Sequence, residues 1–188
     1  MKKVVILLFL CSCFFITGCS IKKVEKLTDA ERFAKEYNIS KNNPFIFVKY
    51  EEVINIFTNK KAIILLADSD EETSVKAAEI INRVAKDSKI EKIYYYNPKQ
   101  IKEKQQKKYK KLVNIIGKSI DNYDRTIPTL YAVDHGKIVN YCNHFSKKEQ
   151  LSEEYLTKKQ LKKIRNDYLN VLNYQTKEKN KEEKQKKE

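Results

Sequence analysis

The chain has 188 residues, which is enough for one domain with tails at its ends. Its 39 Lys and Arg residues outnumber its 25 Asp and Glu residues, which gives a formal net charge of +14. Only 3 glycines are present, which argues against an all-β protein, while 12 Tyr and 8 Phe residues can supply a hydrophobic core.

The N-terminal segment has the pattern of an export signal. Two lysines precede an apolar run over residues 4–16, which is too short to prefer spanning a bilayer as a mature anchor. The run ends in an Ile-Thr-Gly-Cys motif that closes at Cys19 and resembles a bacterial lipobox. The resemblance implies that residues 1–18 are removed and that Cys19 carries a covalent diacylglycerol lipid, whose two acyl chains suffice for stable anchoring.

The alternatives for this segment are an ordinary cleaved signal and an uncleaved membrane anchor. All three interpretations place the domain outside the cytoplasmic membrane, and the lipoprotein interpretation places it on that membrane's outer face. The excess of Lys and Asn in the chain favours a low-GC, Gram-positive bacterium as its source.

The cysteines then have separate fates. Cys11 and Cys13 lie in the removed segment, and the sulfur of Cys19 would be blocked by the lipid. Cys142 is left as the one thiol of the mature protein, so no intramolecular disulfide is expected.

The folded domain is predicted to follow a polar tether over residues 19–27 and to span residues 28–174. Thr28 and Glu31 form a capping box for a first helix. A break at Pro44 separates this helix from a short strand over residues 45–48, and a second helix is predicted over residues 50–58.

Residues 61–86 carry the strongest pattern in the chain and predict a buried strand, a polar turn and an amphipathic helix. Residues 62–67 are almost continuously apolar, as in a central strand that is covered on both faces. Ser69 or Asp70 is expected to cap the helix, since Ser69 and Glu72 have the spacing of a capping box.

The next strand is predicted over residues 90–97, with Tyr94 and Tyr96 on one face and Tyr95 on the other. Asn97 is expected to cap a single long helix that has Pro98 in its first turn and ends at Gly117.

Two short strands over residues 129–133 and 137–141 are predicted to form a hairpin that turns at His135-Gly136. A final helix then opens with Thr157 and Gln160. Residues 175–188 contain no hydrophobic side chain, and they predict a charged, disordered tail or a frayed helix.

This order of elements, together with the Ile127-Pro128-Thr129 segment, resembles the thioredoxin family over about residues 45–172. The resemblance implies an α/β, thioredoxin-like three-layer sandwich, in which helices flank a central mixed sheet of four to five strands, here with an extra N-terminal helix. It also implies that Pro128 is a cis-proline that faces the turn where the family carries Cys-x-x-Cys. Residues 143–154 resemble an insertion before the last helix.

The chain departs from the family at that turn, where Glu71, Glu72, Thr73 and Ser74 stand in place of the two cysteines. Dithiol exchange needs an attacking thiolate and a second sulfur, so no catalytic residue of the family carries over and an enzyme is not favoured. We interpret these four residues and Ile127 as a candidate interaction surface.

Two functions remain open at this stage. The first is a lipid-anchored binding or adaptor module without redox activity, which acts on an unidentified protein partner. The second is a monothiol exchange protein that acts through Cys142, which would require an exposed thiol with a lowered pKa.

The remaining charged groups have simple interpretations. The acidic residues from Asp68 to Glu72 suit a helix N-terminus, and their spacing matches no calcium loop, so we expect no metal and no cofactor apart from the lipid. The lysines from Lys99 to Lys118 form a largely solvated face, for which anionic lipids or cell-wall polymers are candidate partners. Nucleic acid is not expected, since the protein is exported and has no groove-reading motif.

Overall fold

A computed structural model describes residues 26–145 and 156–185, with side chains described up to residue 174. Five strands form one sheet in the order β1-β3-β2-β4-β5. The strands are β1 (Phe45–Phe47), β2 (Lys61–Leu66), β3 (Ile93–Tyr96), β4 (Thr129–Asp134) and β5 (Lys137–Cys142). The helices of the described ranges are α1 (Asp29–Tyr37), α2 (Tyr50–Asn59), α3 (Glu72–Asp87), α4 (Lys99–Lys104), α5 (Gln106–Gly117) and α6 (Lys158–Gln185).

The sheet is mixed. Strands β1, β3 and β2 run parallel to one another, while β4 is antiparallel to β2 and β5 is antiparallel to β4. Helices cover both faces, so the fold is a thioredoxin-like three-layer α/β sandwich in which α1 is the extra N-terminal helix. The fold predicted from the sequence is therefore confirmed.

The continuous apolar run of β2 reflects its central position. Its side chains alternate between two hydrophobic clusters, with Ile63 and Leu65 in one cluster and Ile64 and Leu66 in the other. Each of these four side chains is at most 2% exposed. A strand buried on both faces cannot carry the polar alternation of a half-solvated strand, which is why the run contains no charged residue after Lys61.

The two clusters define the two helical layers. Helices α1, α3 and α6 cover one face of the sheet, where aromatic rings dominate: Phe33 stacks on Phe45 with ring centroids 3.8 Å apart, and Tyr95 meets Phe33 edge-on. Helices α2, α4 and α5 cover the opposite face with aliphatic side chains such as Ile56 and Leu112.

The long helix predicted after Pro98 is in fact two helices, α4 and α5, which meet at Gln105. The prediction of one continuous helix was wrong because its apolar spacing fails in the middle. A straight helix that buries Ile101 and Leu112 would also turn Gln105 and Lys108 toward the core. The break at Gln105 (φ −137°, ψ 61°) leaves Gln105 exposed and keeps both apolar residues buried.

The helix caps were predicted with mixed success. Thr28 and Glu31 form the expected capping box of α1, and Gln160 bonds to both the backbone N–H and the hydroxyl of Thr157. The cap expected at Ser69 or Asp70 is wrong, because α3 begins only at Glu72 and Glu71 precedes it without a side-chain cap. The preceding polar residues are held in a turn instead.

The hairpin between β4 and β5 turns at His135 and Gly136, as predicted. Both residues have positive φ, 45° and 84°, which is the conformation of a two-residue hairpin turn that matches the strand twist. The turn packs closely against α2, since a Cβ added at Gly136 would lie 2.8 Å from the backbone oxygen of Thr58.

The predicted signal segment and most of the predicted insertion lie outside the described residues. The helical backbone of α6 continues to Gln185, through much of the segment predicted as a tail. None of the helices in the described ranges has the length and apolar character needed to cross a membrane.

Candidate functional site

The crevice between the carboxyl ends of β2 and β3 is the topological switch point of the sheet. These strands are parallel neighbours, yet the chain leaves β2 toward α3 on one face and leaves β3 toward α4 on the other. Open α/β sheets bind ligands in crevices of this kind, because the two diverging connections leave room between them.

Asp68 lies at this crevice and is only 6% exposed. Its Oδ1 accepts hydrogen bonds from Nδ2 of Asn97 at 3.0 Å and from the backbone N–H of Asp70 at 3.1 Å. Its own backbone N–H donates to Oγ of Ser74 at 3.2 Å. These bonds satisfy a buried carboxylate that would otherwise be costly to place away from water.

An ammonium group lies beside two of the carboxylates of this turn. Nζ of Lys99 lies 2.6 Å from Oδ2 of Asp70 and 3.9 Å from Oδ2 of Asp68. The hydrogen bond to Asp70, followed by the charge of Asp68, raises the pKa of Lys99. We call Asp68, Asn97 and Lys99 the switch-point site.

A pair of buried phenols supports the site from the core. The hydroxyl of Tyr37 donates to that of Tyr95 at 3.0 Å, and the hydroxyl of Tyr95 donates to the carbonyl oxygen of Ala67 at 3.4 Å. Burial raises the pKa of both tyrosines, so both remain neutral hydrogen-bonding groups at neutral pH. They tie the extra helix α1 to the residue that precedes Asp68.

A groove of about 720 Å³ opens next to the switch-point site, between α1 and α4. Its lining mixes aromatic and aliphatic side chains of the sheet with charged side chains of the two helices. We call it the edge groove, and it is lined by Lys26, Asp29, Arg32, Glu36, Phe47, Val48, Lys49, Ser69, Tyr95, Tyr96, Asn97, Lys99, Gln100, Glu103 and Lys104.

The residues predicted as an interaction surface differ in their exposure. Glu71 and Glu72 are exposed at the start of α3, whereas Thr73 and Ser74 are 5% and 0% exposed and face inward. Ile127 is partly buried against the α2–α5 layer, in the other hydrophobic cluster. Only the two glutamates of this set present their side chains fully to a partner.

The Ile127–Pro128 peptide bond is cis, as the resemblance implies. Thr129 pairs with Leu66 across the sheet, so Pro128 lies at the same sheet edge as the loop that follows β2. The turn at this edge carries carboxylates and hydroxyls, from Glu71 to Ser74.

Cys142 lies at the end of β5 and is 5% exposed, in contact with the cluster that contains Tyr168. Burial raises the pKa of its thiol to about 12, so the thiolate is scarce at neutral pH. His144 is engaged elsewhere, since its Nε2 lies 2.5 Å from Oδ2 of Asp167. Cys142 therefore has neither the exposure nor the lowered pKa that monothiol exchange requires.

Sequence reasoning missed Asn97 and Lys99 as site residues. Asn97 was expected only as a helix cap, and its Oδ1 does accept from the backbone N–H of Lys99 at 2.9 Å, while its Nδ2 reaches Asp68. The available signal was a polar residue directly after each of two predicted strands, at Asp68 and at Asn97. Parallel neighbours bring such residues to one sheet edge.

The arrangement suits recognition through hydrogen bonds and charge. Across the described part of the chain, no group of three or more His, Cys, Asp or Glu side chains is arranged to hold a metal ion.

The fold and the site define an α/β sandwich of thioredoxin-like architecture with a polar crevice at its switch point. Comparison with protein-family models, with curated proteins and with solved structures finds no match for the chain.

Proposed function

We propose that this protein is a membrane-anchored, extracytoplasmic thioredoxin-like lipoprotein that works as a binding or adaptor module without redox chemistry. The observation that carries the proposal is the set of polar groups in the switch-point site. There the buried carboxylate of Asp68 lies beside Asn97 and Lys99, next to the open edge groove. Charged and polar groups placed in this way select a partner by electrostatic complementarity.

The address of the protein rests on its N-terminal sequence. The motif that ends at Cys19 supports lipid attachment there, and the lipid would hold the domain on the outer face of the cytoplasmic membrane. The partner proposed for the edge groove is an unidentified protein that shares this compartment.

The edge groove supports a protein partner better than a small ligand. It is open and mainly polar, with charged side chains of both signs beside a smaller aromatic and aliphatic surface from Phe47, Val48 and Tyr96. Protein–protein contacts combine such aromatic anchors with polar groups that stay accessible to solvent. Phe47 is additionally covered by the guanidinium of Arg32, 4.0 Å from the ring centroid, which a partner side chain could replace.

Site-specific photo-crosslinking in the native host tests the proposal. A photoreactive residue in place of Gln100, in the groove, should capture a discrete protein, whereas the same residue in place of Lys163, exposed on α6, should not. Capture should be lost when Phe47→Asp is added, and a circular dichroism spectrum should establish that the domain is still folded. Equal capture from both positions would contradict a groove-based partner.

Acid trapping on non-reducing gels tests the monothiol alternative. Wild type and Cys142→Ser should give the same pattern, because a buried neutral thiol does not form mixed disulfides at a useful rate. A ladder of adducts that disappears in Cys142→Ser would replace the adaptor proposal with thiol exchange.

A further inference from the structure

Helix α5 carries a stripe of lysines opposite its buried face. Lys107, Lys110 and Lys111 of α5 are followed at helical spacing by Lys118, the residue directly after the helix, and all four are exposed. The other side of the same helix buries apolar residues, which are Leu112, Val113 and Ile116. We call the four lysines the α5 lysine stripe.

The stripe differs from the charged surfaces of α1 and α3. On α3, Lys76 and Arg83 both pair with Glu79, and on α1, Arg32 pairs with Glu36 at 2.9 Å. Mixed signs of this kind are typical of a surface that faces only solvent.

Helix α5 has no acidic residue at all between its bounds. No ion pair joins any lysine of the stripe to an acid in the described ranges, while the neighbouring Lys108 reaches Glu51 at 3.6 Å. Like charges three and four residues apart repel one another along a helix, so this arrangement opposes helix formation unless an anion compensates it.

The start of the folded domain lies next to α4, the helix that leads into α5. Lys26, at the end of the tether, lines the edge groove together with Lys99 and Lys104 of α4, and α4 leads through Gln105 directly into α5. The seven steps along the chain from Cys19 to Lys26 span at most roughly 25 Å when fully extended. A lipid on Cys19 would therefore hold Lys26, and α4 next to it, close to the bilayer.

We propose that the α5 lysine stripe docks on anionic phospholipid headgroups of the membrane to which the protein is anchored. The inference rests on the proposed function for the anchor and adds an orientation to it. A lipid anchor and a basic patch act together as two membrane signals, and the headgroup phosphates supply the negative charge that α5 lacks. Helix α6 covers the face of the sheet opposite to α5, so its exposed lysines form a separate basic surface.

Amine footprinting of the full-length processed chain tests the inference. The protein is reconstituted in vesicles of phosphatidylcholine, or of equal parts phosphatidylcholine and phosphatidylglycerol, and labelled with an acetylating reagent before peptide mass spectrometry. Labelling of the stripe should be several-fold slower on the anionic vesicles, and high salt should remove the difference, because surface charge is screened. The internal control is provided by four exposed lysines of α6: Lys158, Lys159, Lys162 and Lys163.

Matched variants separate the stripe from net charge. The first replaces its four lysines by glutamine (K107Q, K110Q, K111Q, K118Q), and the second makes the same change at the four α6 lysines (K158Q, K159Q, K162Q, K163Q). Added from solution without an acylated N-terminus, the first variant should lose binding to anionic vesicles several-fold more than the second. Equal losses, or equal protection of both helices, would overturn the inference and leave only a diffuse effect of the basic chain.

Two further outcomes are decisive. Protection of the stripe by soluble poly(glycerol phosphate) but not by anionic vesicles would overturn the membrane assignment and indicate a cell-wall polymer. The intact mass of the N-terminal peptide reports separately whether Cys19 carries diacylglycerol. A chain without that lipid would contradict the proposed anchoring, while binding from solution would still decide the role of the stripe.

Discussion

The side-chain amide of Asn97 donates a 3.0 Å hydrogen bond to the carboxylate of Asp68, and this bond joins the ends of two neighbouring parallel strands. It crosses the crevice at which the chain departs to opposite faces of the sheet. Because Asp68 is nearly buried, the bond both satisfies the carboxylate and fixes the wall of the edge groove. The shape of the edge groove and the stability of the sheet edge therefore depend on the same pair.

Removing this amide should destabilise the fold. We expect Asn97→Ala to lower the free energy of unfolding by about 1–3 kcal/mol, since a buried acceptor loses a partner. Urea denaturation at pH 7 provides the measurement. The control is Asp70→Asn, whose carboxylate is 71% exposed and should cost less than about 1 kcal/mol. Equal losses in the two variants would mean that Asp68 does not depend on Asn97.

The buried thiol of Cys142 predicts a specific alkaline response. Its pKa is about 12 in the folded chain, against an ordinary value of 9.0 that applies when the chain unfolds. The contribution of the neutral thiol is thus complete below pH 9 and is lost as the pH rises from 9 toward 12.

Comparison with Cys142→Ala isolates this effect. Above pH 9 wild type should lose up to about 1.4 kcal/mol per pH unit more than the variant, because only wild type binds a proton at this site in the folded state. Urea denaturation of both proteins at pH 7.5, 9 and 10 measures the difference, and the tyrosines common to both chains largely cancel. A constant difference across this range would show that the thiol ionises equally in both states.

The layers of the fold were predictable because they depend on patterns that extend over many residues. The apolar run of β2 indicated a strand covered on both faces, and the alternation of Tyr94, Tyr95 and Tyr96 placed β3 correctly. The break at Gln105 was missed, since it depends on which of two apolar segments meets the sheet and not on any local breaker residue. The same limit applied to the candidate site, because the contact of Asp68 with Asn97 joins residues 29 positions apart.

The helix caps give a direct test of how local sequence decides structure. At Thr28, whose hydroxyl accepts from the backbone N–H of Glu31 at 3.2 Å, the capping box forms. At Ser69 the same spacing does not produce a cap, because α3 starts only at Glu72. We expect Thr28→Ala to cost about 0.5–2 kcal/mol of stability and Ser69→Ala to be close to neutral.

Thermal or urea unfolding of the two alanine variants measures this contrast. Thr28→Ser retains a hydroxyl in the same place and should recover most of the loss. A cost at Ser69 as large as the cost at Thr28 would mean that Ser69 caps α3 in solution.

The hairpin turn makes the strongest demand on a single residue. Gly136 has a φ of 84°, and a Cβ at this position would lie 2.8 Å from the carbonyl oxygen of Thr58, which is backbone and cannot rotate away. Backbone strain of this kind typically costs about 1–3 kcal/mol, and the steric contact adds to it. We therefore expect Gly136→Ala to lower the free energy of unfolding by at least about 1–3 kcal/mol.

Gly117 provides the matched control for this substitution. It ends α5 without a positive φ, and its nearest neighbour to an added Cβ is a side-chain carbon of Tyr123 at 4.0 Å. Gly117→Ala should be neutral or should stabilise by up to about 1 kcal/mol, since alanine restricts the unfolded chain and favours the helix. Urea denaturation of both variants gives opposite signs if the turn packs on α2 as described, and a neutral Gly136→Ala would mean that the hairpin moves away from Thr58 in solution.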